Sequence, residues 1–293
     1  MTLSERLNAA LVACELDPAY VEDLARRTIE EDLAGGVDVT SVATIPAEKI
    51  STGDFRLRKA GTIAGGVVAA AVLEAAGITE YEILIPDGTH AEPGATVIRA
   101  LGNTRKLLLA ERSALNFLGT LSGIATLTNR WVVEVTHTGA KIRDTRKTTP
   151  LLRELEKYAV RAGGGTNHRM SLSDAALIKD NHIVAAGGVV EAFTAIRKNF
   201  PDVPVEVEVD TLDQLQDVIA AGADLILLDN MNLEQTRAAV AISAGRVKLE
   251  SSGGLTLENA KAYAGTGVDY LAVGALTHSA PVLDIGLDLK DEK

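Results

Sequence analysis

One stretch of the sequence, Lys141–His182, concentrates residues that could bind a small, highly charged anion. It contains nine Lys or Arg and five Asp or Glu, a net charge of +4, in a chain of 293 residues whose formal net charge is −11. Clefts lined with charge of one sign concentrate ligands of the opposite sign. A solvated charged face would give a similar pattern. The mixture of Arg and Lys with Gly, Asn and His near predicted strand ends favours a binding site.

A second group of candidate residues lies on one face of the segment VEVEVD. Alternation along a strand places Glu206, Glu208 and Asp210 on one side and three valines on the other. Strands of a parallel barrel are normally apolar on both faces, so these carboxylates need cations. Either a metal or basic side chains in a structural ion-pair layer would supply them. Asp229 ends the next strand, LILLD, and Glu208 with Asp229 would suit Mg²⁺ held mainly through waters and a substrate phosphate.

The glycine-rich turn Ser251–Gly254 is a candidate phosphate site, because it leads into the helical segment TLENAKAYA. The start of a helix offers free backbone N–H groups and a favourable dipole to an anion. In α/β barrels the last two loops that follow strands often bind phosphate, and here the second loop is Gly274–Ala275. Such a turn is often only a loop, but its place before a helix favours a phosphate site.

Other chemistry has weaker support. Gly163–Gly165 is typical of a helix end and a flexible turn, and His168 and His182 lack the spacing of zinc ligands. The single cysteine excludes an intramolecular disulfide, and no GxSxG nucleophile motif is present. The candidate residues therefore suit transfer of a group between a phosphorylated donor and an anionic acceptor, promoted by positioning and electrostatics.

The elements that must position these residues fall into two regions. The first hundred residues mix helical and strand patterns, which is typical of an α+β domain, and a long helix is predicted from Thr104. From Lys141 onward strands recur about every 20 residues with helices between them, and one helix is predicted to begin at Pro150 behind Thr149. An open doubly wound sheet is the alternative to a barrel. The barrel is favoured because polar residues lie at many strand ends and no GxGxxG follows a strand.

The acidic net charge argues against nonspecific binding to nucleic acid or membrane surfaces as the main function. The longest apolar run, Ala60–Leu73, is about 14 residues long and interrupted by glycine, which is too short to cross a bilayer. The charged N-terminal segment does not resemble a secretory signal. We expect a cytoplasmic enzyme.

The quoted segments resemble the quinolinate phosphoribosyltransferase family, the carboxylating nicotinate-nucleotide pyrophosphorylases. The resemblance covers nearly the whole chain and includes KIRDTRKTTP, GGGTNHRMSLSDAALIKDNH, VEVEVD, LILLDN, SSGG, EDLAGGVDVTS and LLLAERSALNFLGTLSGIAT. It implies a mixed α+β N-terminal domain, residues 1–113 with 281–293 returning to it, and an incomplete, open, seven-stranded α/β barrel, residues 114–280. It also implies at least a homodimer with shared active sites.

The resemblance implies a reaction in NAD biosynthesis in which quinolinate and phosphoribosyl pyrophosphate give nicotinate mononucleotide, pyrophosphate and CO₂ with Mg²⁺. It assigns quinolinate to Arg112, donated by the neighbouring subunit, and to Arg146, His168, Arg169 and Lys179. It implies that Lys147, Glu208 and Asp229 bind phosphoribosyl pyrophosphate and its metal and take part in catalysis. It also implies that Ser252, Gly253, Gly254 and Gly274 bind the 5′-phosphate. Two alternatives remain: a related transferase acting on nicotinate or another anion, and a noncatalytic metabolite-binding accessory protein.

Overall fold

The computed structural model describes residues 2–291 and divides into two compact units. Unit 1 comprises residues 2–127, 154–164 and 279–291, and unit 2 comprises residues 128–153 and 165–278. The chain thus passes between the units several times, and one of the crossings lies inside a single long helix, Thr104–Val135.

The helices of residues 2–291 follow one another as α1 (Glu5–Ala13), α2 (Pro18–Leu33), α3 (Val39–Thr44), α4 (Gly66–Ala75), α5 (Thr104–Val135), α6 (Arg153–Ala162), α7 (Asp180–Ala186), α8 (Val189–Asn199), α9 (Leu212–Ala220), α10 (Leu233–Ser243), α11 (Leu257–Ala264) and α12 (Ala275–His278). The strands are β1 (Ile50–Leu57), β2 (Gly61–Thr62), β3 (Glu80–Ile83), β4 (His90–Ala91), β5 (Thr96–Asn103), β6 (Lys141–Arg143), β7 (Ala176–Ile178), β8 (Val205–Val209), β9 (Leu225–Asp229), β10 (Lys248–Ser252), β11 (Tyr270–Ala272) and β12 (Ile285–Asp291).

Unit 1 is built on an antiparallel sheet with the strand order β12-β1-β5-β3. The C-terminal strand β12 lies antiparallel to β1, with Ile285 opposite Leu57 and Asp291 opposite Ser51. Helix α4 is apolar apart from Glu74, and its residues from Gly66 to Glu74 are buried, as expected of a helix enclosed by other elements. The mixed α+β character predicted for the N-terminal part of the chain is confirmed.

Unit 2 contains a parallel sheet with the order β6-β11-β10-β9-β8-β7, and a helix follows most of its strands. Capping boxes begin three of these helices: the side chains of Thr211, Asn232 and Thr256 each accept a hydrogen bond from a main-chain N–H in the first turn. All five residues of β8 are buried, which is typical of a parallel sheet covered on both faces. The predicted α/β class is therefore confirmed.

The sheet of unit 2 is rolled, because side chains from nonadjacent strands meet in its interior. His168, two residues after the bridge that joins Thr166 to β6, has its Nε2 atom 2.6 Å from Glu206 Oε2 on β8, near the other end of the strand order. The resemblance implies seven strands. In the described part of the chain, the sheet of unit 2 has six paired strands. Next to β6, a single parallel bridge between Arg143 and Thr166 stands in place of a further full strand.

One local prediction is wrong: the helix expected to begin at Pro150 begins at Arg153. The intervening residues form a turn in which the Leu152 N–H donates to the Thr149 carbonyl oxygen at 3.1 Å. Leu151 has φ +68°, a left-handed conformation that cannot continue a right-handed helix. Within residues 2–291, no helix combines the length and the hydrophobicity needed to cross a bilayer.

Candidate active site

Unit 2 contains a pocket of about 520 Å³ where the carboxyl ends of its parallel strands meet. In an α/β barrel this end carries the catalytic residues. Nine of the residues predicted for the site line it, namely Arg146, Lys147, His168, Arg169, Lys179, Glu208, Asp229, Ser252 and Gly253. The rest of the lining is Thr145, Leu177, Leu227, Asn230, Glu250 and Ala272.

Two arginines form a cationic wall of this pocket. Burial lowers the pKa of the Arg169 guanidinium, and the positive charge of Arg146 lowers it further. The Nε atom of Arg146 is buried and has no hydrogen-bond partner among residues 2–291. A buried donor without a partner is costly, and two like charges side by side repel. Both costs are relieved when an anion with several acceptor oxygens enters the pocket.

The loops that carry these basic residues are tied together by hydrogen bonds. Arg153 donates from Nε to Thr148 Oγ1 at 3.0 Å and from Nη1 to the Met170 carbonyl oxygen at 3.0 Å. The Lys147 carbonyl oxygen accepts a hydrogen bond from Thr277 Oγ1 at 2.8 Å. The loop after β6 is therefore held at Lys147 and Thr148, which limits the freedom of Arg146 and Lys147 before any ligand binds.

Two of the carboxylates of VEVEVD each contact a basic side chain. Glu206 Oε2 lies 2.6 Å from His168 Nε2, and Glu208 Oε2 lies 2.7 Å from Lys179 Nζ. Both glutamates are buried, whereas Asp210, beyond the end of β8, is exposed. The ion-pair interpretation of this face therefore holds for Glu208 with Lys179, and Glu206 contacts the imidazole of His168.

Asp229 and Glu208 form the anionic side of the pocket. Burial raises the pKa of the Asp229 carboxyl, and the negative charges of Asp210 and Asp180 add to the effect. Asn230 donates to Asp229 Oδ2 at 2.7 Å. The positive charge of Lys179, which also pairs with Glu208, opposes this effect on the pKa. Carboxylate oxygens are ligands that Mg²⁺ prefers, so the donor type of these two residues fits the metal that the family resemblance implies, and the metal itself stays a prediction.

The predicted phosphate turn is shaped by its contact with the neighbouring loop. Gly253 has φ +85°, and a Cβ at this position would lie 2.1 Å from Asn230 Oδ1. The Asn230 N–H donates to the Ser252 carbonyl oxygen at 2.9 Å, so the loops after β9 and β10 interlock. A side chain at Gly253 would separate them. Gly254, with φ +62°, continues the turn, although it is not part of the pocket lining.

Two other predicted residues lie outside the pocket lining. A Cβ on Gly274 would lie 3.0 Å from Lys147 Cδ, so this glycine makes room for the lysine stem. Arg112 is exposed on α5, in the part of that helix that belongs to unit 1. Its proposed role in a neighbouring subunit stays a prediction.

Glu250, which was not among the predicted site residues, is fully buried on β10 and lines the pocket. Its Oε2 lies 2.5 Å from Arg143 Nη1, yet its pKa is raised to about 8, first by burial and then by the negative charge of Glu206. The sequence contained a signal, because the strand VKLES has a carboxylate in the middle of a buried strand, as VEVEVD does. Asn230 was also missed.

An open parallel barrel with this pocket at the carboxyl ends of its strands defines an α/β-barrel enzyme that acts on anionic substrates. Comparison with known proteins specifies the family. Residues 38–122 match the family model of the quinolinate phosphoribosyl transferase N-terminal domain, and residues 124–288 match that of its C-terminal domain. The chain belongs to the quinolinate phosphoribosyltransferase family.

Individual relatives agree with this assignment. The nicotinate-nucleotide pyrophosphorylase [carboxylating] of Mycobacterium leprae is 54% identical over 282 residues, which cover 94% of this chain and 99% of the relative. The crystal structure of NadC from Streptococcus pyogenes has a TM-score of 0.90 at 39% identity and covers 95% of this chain and 99% of that one. The nicotinate-nucleotide pyrophosphorylase from Francisella tularensis has a TM-score of 0.89 at 39% identity, over 93% and 96% of the two chains.

Proposed function

We propose that the enzyme transfers the phosphoribosyl group of phosphoribosyl pyrophosphate to quinolinate with loss of CO₂, giving nicotinate mononucleotide and pyrophosphate in NAD biosynthesis. The observation that carries this proposal is the cationic wall, where Arg146 Nε is buried without a partner in residues 2–291 beside the charge of Arg169. Quinolinate brings two adjacent carboxylates to such a wall, and planar guanidinium groups match carboxylates in a bidentate manner.

The quinolinate site we propose consists of Arg146, His168, Arg169 and Lys179, completed by Arg112 from a second subunit. The apolar side chains of Leu177 and Leu227 line the same pocket and offer surface to an aromatic ring. Lys179 is half-exposed and is oriented by Glu208, and its main-chain N–H donates to His182 Nδ1 at 2.9 Å. The enzyme then works as a homodimer or a larger assembly.

Phosphoribosyl pyrophosphate is proposed to bind with its 5′-phosphate at Ser252, Gly253, Gly254 and Gly274, and with its pyrophosphate beside Lys147. Glu208 and Asp229 would hold Mg²⁺, mainly through water and substrate oxygens, and the bound ion supplies charge neutralisation for the departing pyrophosphate. The two carboxylates also face the positive charge that develops on the ribose as the bond to pyrophosphate breaks.

The order of the chemical steps follows from the electron balance. The pyridine nitrogen of quinolinate attacks the anomeric carbon, the bond to pyrophosphate breaks, and the ring nitrogen becomes cationic. The bond between the ring and the 2-carboxylate then breaks and releases CO₂. Its electron pair stays on the ring carbon next to the cationic nitrogen and takes up a proton. Transfer therefore precedes decarboxylation, and the enzyme contributes positioning and electrostatics.

The direct test incubates the purified enzyme with quinolinate, phosphoribosyl pyrophosphate and Mg²⁺, and measures CO₂ and nicotinate mononucleotide. Equal amounts of both products are expected, with no turnover of nicotinate in a parallel reaction. Turnover of nicotinate alone would indicate the related transferase, and metabolite binding without turnover would indicate the accessory role. A cytoplasmic location is also proposed, and the single cysteine of the chain suits a reducing compartment.

A further inference from the structure

The imidazole of His168 is held by protein atoms at both ring nitrogens. Nδ1 accepts a hydrogen bond from the main-chain N–H of Arg169 at 2.7 Å, so its lone pair points at the protein. Nε2 lies 2.6 Å from Glu206 Oε2. The N–H donor that faces Nδ1 and the carboxylate that faces Nε2 together place the ring proton on Nε2. Neither nitrogen is then directed at a substrate carboxylate.

The main chain on the other side of His168 is equally constrained. The His168 N–H donates to Asp144 Oδ1 at 2.8 Å, and Asn167 Nδ2 donates to Asp144 Oδ2 at 2.6 Å. Asp144 is fully buried and directly follows β6. The imidazole is thus fixed between this carboxylate on its main-chain side and Glu206 at the tip of its ring.

Arg169 receives its orientation from these contacts. Its main-chain N–H is bound to His168 Nδ1, and its Nη1 donates to the Ala175 carbonyl oxygen at 3.0 Å. The guanidinium lines the pocket beside Arg146. Any rotation of the imidazole would break the hydrogen bond at the Arg169 main chain and shift the start of this side chain.

We propose that Glu206 is a positioning residue. It accepts a hydrogen bond from the Nε2–H group of His168 and so fixes the imidazole, which in turn orients Arg169 toward the carboxylates of the substrate. His168 accordingly acts through Arg169 and makes no direct hydrogen bond to the substrate from its ring nitrogens. The inference rests on the proposed quinolinate-binding role of Arg169 and adds a residue to which the family resemblance assigned no role.

The surroundings of Glu206 suit a fixed acceptor. Glu206 is buried, and its Oε1 has no hydrogen-bond partner among residues 2–291. Glu250 Oε1 lies 3.6 Å from His168 Nε2, and oxygens of both glutamates lie within 4.8 Å of the ring nitrogen. The raised pKa of Glu250 reduces competition for the His168 proton, because a neutral carboxyl is the weaker acceptor.

Steady-state kinetics with two Glu206 variants test the inference. Glu206→Gln keeps a carbonyl oxygen that can accept the Nε2 proton, whereas Glu206→Leu has none. For Glu206→Leu we expect the KM for quinolinate to rise about 10- to 100-fold, since small misplacements of a binding group cost up to that much. The KM for phosphoribosyl pyrophosphate should change less than about twofold, and Glu206→Gln should stay within about threefold of wild type for both substrates.

A matched control separates positioning from general destabilisation. Asp269→Asn also removes a carboxylate from unit 2, where Asp269 accepts hydrogen bonds from Lys248 Nζ and the Leu249 N–H, and it does not line the pocket. Its KM values should match wild type at the same active-site concentration. Equal increases in both KM values for Glu206→Leu, or none with quinolinate, would overturn the inference. If wild type neither binds nor converts quinolinate, the proposed function fails instead.

Nuclear magnetic resonance tests the same point in the wild-type enzyme itself, and a variant is needed only to assign one signal. Selective ¹⁵N labelling of the five histidines shows which ring nitrogen of each carries the proton, and His168→Gln identifies the signal by its loss. An Nε2–H tautomer that persists when quinolinate is added supports the inference. A proton on Nδ1, or a change of tautomer on quinolinate binding, contradicts it.

Discussion

Replacing Glu250 with glutamine should change how the free energy of unfolding depends on pH. Burial raises the pKa of this carboxyl from 4.5 to about 8; the charge of Glu206 adds to the shift, and Arg143 opposes it. The folded enzyme therefore keeps a proton at neutral pH that the unfolded chain releases. A group of this kind makes the folded state progressively less stable as the pH rises from 4.5 to about 8, and its full stability is present below that window.

The size of the change in the free energy of unfolding follows from the pH interval between the two pKa values. Each pH unit within it costs about 1.4 kcal/mol for one such group. Between pH 5.5 and 7.5, Glu250 alone should lower the free energy of unfolding by roughly 3 kcal/mol. Glu250→Gln keeps a carbonyl oxygen for Arg143 Nη1, which lies 2.5 Å from Oε2, but has no proton to lose. The variant should therefore lack this decline.

Urea unfolding of wild type and Glu250→Gln, followed by circular dichroism at pH 5.5, 6.5 and 7.5, measures the difference. Glu258→Gln is the control, because Glu258 is fully exposed at the start of α11 and hydrogen bonds there lower its pKa. It is ionised in both states over this range, so its variant should follow the wild-type slope. Parallel profiles for wild type and Glu250→Gln would refute the reasoning, because they would mean that Glu250 is equally ionised in the folded and unfolded states.

Three further predictions concern binding and assembly. Arg146→Lys should weaken quinolinate binding far more than phosphoribosyl pyrophosphate binding, because lysine lacks the planar fork, and separate calorimetric titrations with equal losses would contradict this. Arg112→Ala and Lys179→Ala should each be nearly inactive as homodimers, and mixing them with subunit exchange should restore part of the activity; no recovery would place Arg112 within its own site or outside catalysis. Gly253→Ala should raise the KM for phosphoribosyl pyrophosphate about tenfold or more by displacing Asn230, and an unchanged value would remove the turn from the phosphate site.

Short-range patterns predict the barrel, the carboxylates of β8 and β9 and the glycine turn after β10, whereas the individual basic residues of the pocket come from the family resemblance. Short strands separated by helices bring strand ends to one side of the sheet, and alternation alone puts Glu206 and Glu208 on the same face of β8. Both glutamates are buried with basic partners. The polar residues Asp229 and Ser252 likewise end β9 and β10.

Other features depend on contacts between distant parts of the chain, which local patterns do not encode. Glu250 and Arg143 are 107 residues apart, so neither the ion pair nor the raised pKa is visible in the segment VKLES. The late start of α6 depends on the left-handed conformation of Leu151, a residue type that seldom adopts it. His168 Nε2 contacts Glu206, which lies 38 positions away along the chain.

The strand order of unit 2 explains why one pocket can bind substrates with different charge requirements. In the strand order β6-β11-β10-β9-β8-β7, the end of β6 carries the basic residues Arg146 and Lys147. The ends of β11 and β10 carry the glycine loops at Gly274 and Ser252–Gly254. The ends of β9, β8 and β7 carry Asp229, Glu208 and Lys179. The phosphate turn therefore lies between cations on one side and carboxylates on the other. A phosphorylated sugar bound there would have its departing pyrophosphate and its developing ribose cation next to charges of opposite sign. The order of the strand ends, and not any single residue, places cations beside the pyrophosphate and carboxylates beside the ribose.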